Sequence, residues 1–108
     1  MSYSIKLLAK FKRAAKPLLK KYPSLKSELG SLQQQLIENP TLGTALGKSC
    51  YKIRLTVGSK GKGSSGGARV VTYVAVLNEE IVLLTIYDKA DRADLRPGGL
   101  DELLKLLE

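Results

Sequence analysis

Between Cys50 and Lys89 (CYKIRLTVGSKGKGSSGGARVVTYVAVLNEEIVLLTIYDK) the side chains alternate with a period of two, which confines this part of the chain to a sheet. Tyr51, Ile53, Leu55 and Val57 share one side, and Lys52, Arg54 and Thr56 share the other. The next run, Ala68 to Leu77, is rich in valine and sets Arg69 and Tyr73 on a common face, because alternate strand positions point the same way. The third run, Ile81 to Lys89, aligns Leu83, Thr85, Tyr87 and Lys89. Paired as a meander, the three strands gather Lys52, Arg54, Arg69, Tyr73, Tyr87 and Lys89 on one surface. Such a surface suits a phosphodiester.

The charge balance points the same way. Eighteen Lys plus Arg against 10 Asp plus Glu give a net charge of +8, and a small cationic domain usually meets a polyanion. A length of 108 residues predicts one domain, residues 1–108, large enough to fold around its own core. The single cysteine, Cys50, has no internal disulfide partner, and its place at the head of an apolar run predicts burial. No segment has the length of a membrane span, and lysines from Lys6 onward interrupt any signal-peptide pattern, so the expected location is the cytoplasm.

Ahead of the strands, Tyr3 to Leu8 reads as a short first strand. Phe11, Ala15, Leu18, Tyr22, Leu25, Leu29, Leu32 and Leu36 are then spaced alternately by four and three, an amphipathic helical stripe. Pro23 divides it, with Ser24 as the N-cap of the second half, so the spacing predicts a helical hairpin over Lys10 to Lys21 and Leu25 to Glu38. Pro17 is expected to kink or shorten the first helix. The leucine spacing also fits a coiled coil, but the proline break leaves each helix short of the three to four heptads that signal requires, which favours packing on the sheet. The lysines of FKRAAKPLLKK fit an interfacial membrane helix or, more commonly, a solvated basic face. Asn39-Pro40 ends the second helix, and Thr41 to Ser49 reads as a loop punctuated by Gly43 and Gly47. At the other end, Leu100, Leu103, Leu104 and Leu107 form one face of a short final helix with Asp101 and Glu102 in its first turn.

Gly58 to Gly67 (GSKGKGSSGG) contains a GxGxxG match, but a strand rather than a helix follows it, so it carries no dinucleotide signal. What remains is a glycine loop presenting Lys60 and Lys62, placed either to fold around a phosphate backbone or simply to keep the loop solvated. With no histidine and one cysteine, the usual zinc ligand sets and His-dependent nucleophile systems are excluded. Asp88, Asp91 and Asp94 could be pictured around a magnesium ion, but Asp91 and Asp94 read better as a turn into the last helix.

The succession CYKIRL, SKGKGSSGGARVVTYV and VLLTIYDK, followed by an acidic turn and a helix, resembles the RelE/HigB family of bacterial toxins, with its HigB-like branch the nearer. These are the toxin halves of type II toxin–antitoxin pairs. The resemblance covers essentially the whole chain and is most specific from Lys52 to Lys89. It implies an α+β RelE-like domain: an N-terminal helical hairpin on one side of a curved antiparallel sheet, an active surface on the other, and a short C-terminal helix. It further implies a ribosome-dependent mRNA endoribonuclease, without metal or cofactor. A cognate antitoxin, the ribosome and mRNA are the implied partners.

By position, Arg69 matches the family's phosphate-stabilising arginine, Lys52 and Arg54 its basic pair on the preceding strand, and Lys89 a basic position after the last strand. Lys60 and Lys62 belong to the basic loop, and Tyr73 and Tyr87 are candidates for stacking on bases or hydrogen bonding to them. The chain departs from the family in two places. It has no tyrosine after Tyr87, and Ala90 stands where an arginine is often found, with Arg92 as a substitute. Metal-free cleavage by a ribose 2′-OH needs a base, cations for the phosphorane and a proton for the leaving oxygen. Lysines in a cationic cluster can share that work, and the base stays open between Lys52, Lys60, Lys62 and Lys89. Two other functions fit the same fold: a ParE-like gyrase poison and a non-catalytic RNA- or ribosome-binding module.

Overall fold

A computed structural model describes residues 3–60, 66–91 and 94–107. In chain order its elements are β1 (Ser4–Leu7), α1 (Ala9–Lys21), α2 (Leu25–Glu38), β2 (Thr44–Gly47), β3 (Cys50–Leu55), β4 (Ala68–Ala75), β5 (Glu80–Asp88) and α3 (Gly99–Lys105). The five strands form one sheet in the order β1-β5-β4-β3-β2.

The sheet is mixed rather than antiparallel throughout. β3, β4 and β5 form the expected meander, but β1 pairs with β5 in parallel, Ser4 opposite Glu80 and Leu7 opposite Leu83. The direction follows from what comes next in the chain. With Leu8 N–H donating to the Leu83 carbonyl at 3.2 Å, α1 starts at mid-strand and runs on beside the second half of β5. An antiparallel β1 would have launched α1 from the other end of β5, away from the apolar surface it covers.

The expected loop from Thr41 to Ser49 contains a strand, β2, which pairs antiparallel to β3 with Thr44 opposite Lys52. Its turn places Lys48 and Ser49 at φ of 55° and 63°. Both central residues of this tight hairpin are left-handed, a role usually filled by Asn-Gly, so the turn leaves no signal in the sequence.

The helical hairpin lies where its pattern predicts. Phe11, Ala15 and Leu18 of α1 and Leu25, Leu29, Leu32 and Leu36 of α2 pack on Ile53, Leu55, Val70, Ile81, Leu83 and Ile86 of the sheet. The leucines meet their own sheet, which settles the coiled-coil question against a separate zipper. Burial of each such leucine stabilises by about 1.5–3 kcal/mol. Pro17 neither kinks nor shortens α1 enough to interrupt it, since the helix continues through to Lys21 with Pro17 on its exposed side. The proline removes only the N–H that would donate to the Arg13 carbonyl. Pro17→Ala is therefore expected to stabilise the protein by about 1–2 kcal/mol, read as a rise of several degrees in Tm.

The opposite face is not free of helices. Cys50, Val71, Val82, Leu84 and Tyr87 form a second apolar cluster, and α3 covers it with buried Leu103 and partly buried Leu100, Leu104 and Leu107. A bulge feeds this cluster. Val71 is opposite Thr85 but Thr72 is opposite Leu83, so Leu84 is an extra residue in β5. Leu83, expected to align with Thr85 and Tyr87, is thereby turned to the α1/α2 side.

Candidate nucleic-acid interface

The register brings together part of the predicted cluster. Arg54, Arg69 and Tyr87 are direct partners across β3, β4 and β5, and Lys52, Val71 and Thr85 form the next row. Lys89 lies one residue beyond β5, its N–H donating to the Gly67 carbonyl at 3.0 Å, which sets it beside the start of β4. Tyr73 is not in this group. It is opposite Cys50 and Val82, about 13 Å along β4 from Arg69, and packs half-buried against the cluster under α3. Lys60 closes the 3-10 turn Gly58–Lys60, while Lys62 and Arg92 lie outside the described residues.

Exposure divides the row. Arg54 is exposed, but Arg69 retains 3% of its surface and Tyr87 4%. The Arg69 guanidinium donates from Nη1 to the Ala68 carbonyl at 3.1 Å. Lys52 is largely covered and its Nζ stands 3.3 Å from Asp94 Oδ2. The Leu95 N–H, then Lys52, hold the Asp94 carboxyl below its usual range. Cys50 is no nucleophile, because burial pushes its thiol up to about 11.

The base of the glycine loop is fastened at both ends. At the first, Ser24 N–H donates to Ser59 Oγ at 2.8 Å, Ser59 N–H donates to Ser24 Oγ at 2.9 Å, and Gly58 N–H donates to Glu28 Oε2 at 2.7 Å. Ser24, expected to cap α2 with its side chain, instead spends its hydroxyl on this loop and on Glu28 Oε1, at 3.1 Å. At the second end Gly67 is buried against β3, where a Cβ would come within 2.1 Å of the Leu55 carbonyl oxygen. Glu28→Ala is expected to cost about 1–2 kcal/mol and to speed amide exchange at Gly58 and Ser59, with Glu28→Gln retaining most of the protection. Unchanged exchange in the alanine variant would contradict this role.

Asp88, one of the carboxylates considered as a metal ligand, is buried. It accepts the Tyr22 hydroxyl at 2.6 Å and the Ala90 N–H at 2.9 Å, joining the end of β5 to the end of α1. Among the described residues no three His, Cys, Asp or Glu side chains come together as a metal site. Nor, among them, is any helix long and apolar enough to cross a membrane.

Ion pairs hold the C-terminal segment over the sheet: Lys52 with Asp94, Lys48 of the β2–β3 turn with Asp101, and, within the segment, Arg96 with both oxygens of Glu102 at 2.8 and 2.9 Å. Lys48 similarly holds Asp101 below the ordinary carboxylate range. Carboxylates so lowered add stability above their unfolded value of about 3.9, and that stability is lost as pH falls through the lower folded value. Amides of α3 are thus expected to lose exchange protection near pH 3, relative to pH 6, before those of β4. The effect is modest, since these pairs are exposed. Equal acid sensitivity in α3 and β4 would count against it.

No family model matches the chain. Among solved structures, it is similar to an arginine-substituted mutant of the E. coli toxin RelE in the free state, with a TM-score of 0.62 and 18% identity over 97% of each chain. Coverage from end to end at that score, with the same α+β build, gives this chain the fold of the E. coli toxin RelE.

Proposed function

We propose that this protein is the toxin of a type II toxin–antitoxin pair, a ribosome-dependent endoribonuclease that cuts mRNA and stops translation. The observation that carries the reading is the cationic row itself: Arg54 opposite Arg69, with Lys52 in the adjoining row and Lys89 beside the start of β4. It stands on a RelE-like fold in a chain of net charge +8. A sheet face that concentrates cations at one end suits a phosphorane, whose added negative charge they stabilise.

In this mechanism the ribose 2′-OH attacks the adjacent phosphorus as a base removes its proton. The bond to the 5′-oxygen breaks, that oxygen takes up a proton, and the products are a 2′,3′-cyclic phosphate and a 5′-hydroxyl end. Arg54 presents its guanidinium to the phosphate directly. Arg69, beneath it in the same row, adds positive potential where the low dielectric of a buried site makes it count most. Lys52, paired to Asp94, serves as a charge-stabilising donor. Lys60, Lys62 and Lys89 supply the base and acid between them, and Lys60 and Lys62 with Arg92 hold the RNA backbone. Tyr87, only 4% exposed and packed in the cluster with Leu95, is not open to stack on a base and acts as packing within the row. A cognate antitoxin holds the protein inactive, covering a cationic surface with an acidic one.

Controlled expression in a bacterial host, with transcript ends mapped, tests the reading. Growth arrest with new cuts inside translated codons is the expected result. Arrest with intact transcripts and DNA damage would move the assignment to a gyrase poison. No arrest from folded protein would leave a basic RNA-binding module.

A further inference from the structure

Strand β5 has β1 as its neighbour only as far as Leu83. Beyond that point α1 flanks it on one side of the sheet and the C-terminal segment on the other, and a cleft of about 310 Å³ opens between them at Thr85. Lys10 and Arg13 of α1 and Arg96 of the C-terminal segment line it, along with the apolar side chains of Leu95, Leu103 and Leu106. Its acid, Glu102, has both oxygens engaged by Arg96. Among the described residues no ion pair takes up Lys10 or Arg13, and α1 (AKFKRAAKPLLKK) carries no acid at all.

The volume lies at the lower end of the range for small-molecule sites, about 300–1,000 Å³. An apolar wall beside unneutralised cations matches a ligand with a flat apolar body and an anionic tail. We infer that this cleft binds a phosphate-bearing nucleotide, its phosphate on Lys10 and Arg13 and its base against the leucines. A membrane surface fits worse, because Phe11, Ala15 and Leu18, the apolar side of α1, are buried in the core and unavailable for insertion. Thr85 lies two residues from Tyr87, about 7 Å along the strand, so the cleft neighbours the Arg54–Arg69 row without sharing its cations. The inference goes beyond the proposed activity, since binding here stands whether or not the chain cuts RNA.

The test is an NMR titration of the intact protein with adenosine and guanosine 5′-monophosphates, and with inorganic phosphate for comparison. Three proteins are titrated: wild type, the pair Lys10→Ala with Arg13→Ala, and the pair Lys12→Ala with Lys16→Ala. The last two lysines are exposed on α1 outside the cleft, so both pairs remove the same charge and neither disturbs the core. The expected result is saturable shifts at Thr85, Leu95 and Leu103, with a Kd of roughly 0.1–10 mM for an isolated nucleotide. Binding should weaken about tenfold or more in the first pair and less than about twofold in the second, and inorganic phosphate should bind more weakly than either nucleotide. Absence of saturable shifts at these residues would overturn the inference. So would equal weakening in both pairs, which reports net charge alone, or phosphate binding as tightly as the nucleotides, which reports an anion site without a base subsite. No turnover is read, so failure of the nuclease assignment and failure of this site are separate results.

Discussion

Replacing Arg54 with alanine is expected to lower RNA cleavage by about 100- to 1,000-fold while changing stability by less than about 0.5 kcal/mol. Replacing Arg69 is expected to lower cleavage comparably and also to cost about 2–4 kcal/mol of stability. The two residues are directly opposite on adjacent strands, yet one is exposed and the other retains 3% of its surface. Like charges opposite each other on a sheet destabilise it in the free protein, and an anion lying across both removes that cost. Arg54→Ala removes the cation proposed to meet the phosphate and, at an exposed position, leaves the core untouched. Arg69→Ala empties a filled position between Arg54 and Tyr87 and deprives the Ala68 carbonyl of the guanidinium donor. Arg69→Lys, which keeps the charge but loses the planar fork, should fall between wild type and alanine in cleavage. Thermal melts beside a cleavage assay separate the two roles. Full activity in Arg54→Ala, or a melting temperature in Arg69→Ala equal to wild type, would contradict this division.

Gly67→Ala, at the closest backbone approach of any glycine among the described residues, is expected to be strongly destabilising. The new Cβ would sit 2.1 Å from the Leu55 carbonyl oxygen, 3.1 Å from the Leu55 carbonyl carbon and 3.3 Å from the Thr56 Cα. All three atoms are backbone, so no side chain can swing away to make room. The Gly67 carbonyl also accepts the Lys89 N–H, so displacing this residue disturbs the start of β4 and the placement of Lys89 together. Overpacking of this kind costs about 1–3 kcal/mol or more, equivalent to a fall in Tm of roughly 5–20 °C. Gly47→Ala provides the comparison, since a Cβ there meets nothing within 4 Å and its cost is confined to the backbone strain of a φ of 87°. A melting temperature for Gly67→Ala equal to wild type would show that β3 and β4 do not approach this closely.

The helices were legible because burial repeats every three or four residues, and nothing competes with that signal from Phe11 to Leu36. The core meander was equally legible, since alternation from Cys50 to Leu55 and the valines of β4 leave one plausible pairing. Three features were not. β2 hides behind a turn whose left-handed residues are Lys48 and Ser49, types that give no turn signal. The bulge at Leu84 is one residue out of phase in an otherwise apolar strand, so period two continued across it places Leu83 on the wrong face. The parallel β1 depends on the path of α1, a relation between elements that no local pattern expresses. At the site, the row of Arg54 and Arg69 could be read from strand phase, but its burial could not. Whether a strand face is open depends on what crosses it, and here Leu95 and α3, drawn from a turn and a short helix at the far end of the chain, do the covering. Asp94 reads from the sequence as an acid in a turn, but its pairing with Lys52 needs both the turn and β3 in place. Tyr73 shows the opposite error: correct phase on β4, yet too far along the strand to join the row.

The central claim, RNA cleavage by an internal 2′-OH on a cationic sheet face, is tested most directly with ribosomes programmed with one defined mRNA. Two transcripts are compared, identical except for a single 2′-deoxynucleotide on the 5′ side of the cut bond. The account predicts cleavage of the all-ribose transcript to a fragment with a 5′-hydroxyl end, no cleavage at the substituted position, and loss of cleavage in Arg54→Ala. Cutting at the 2′-deoxy position, or fragments ending in a 5′-phosphate, would contradict the mechanism; intact transcripts with active, folded protein would contradict the function.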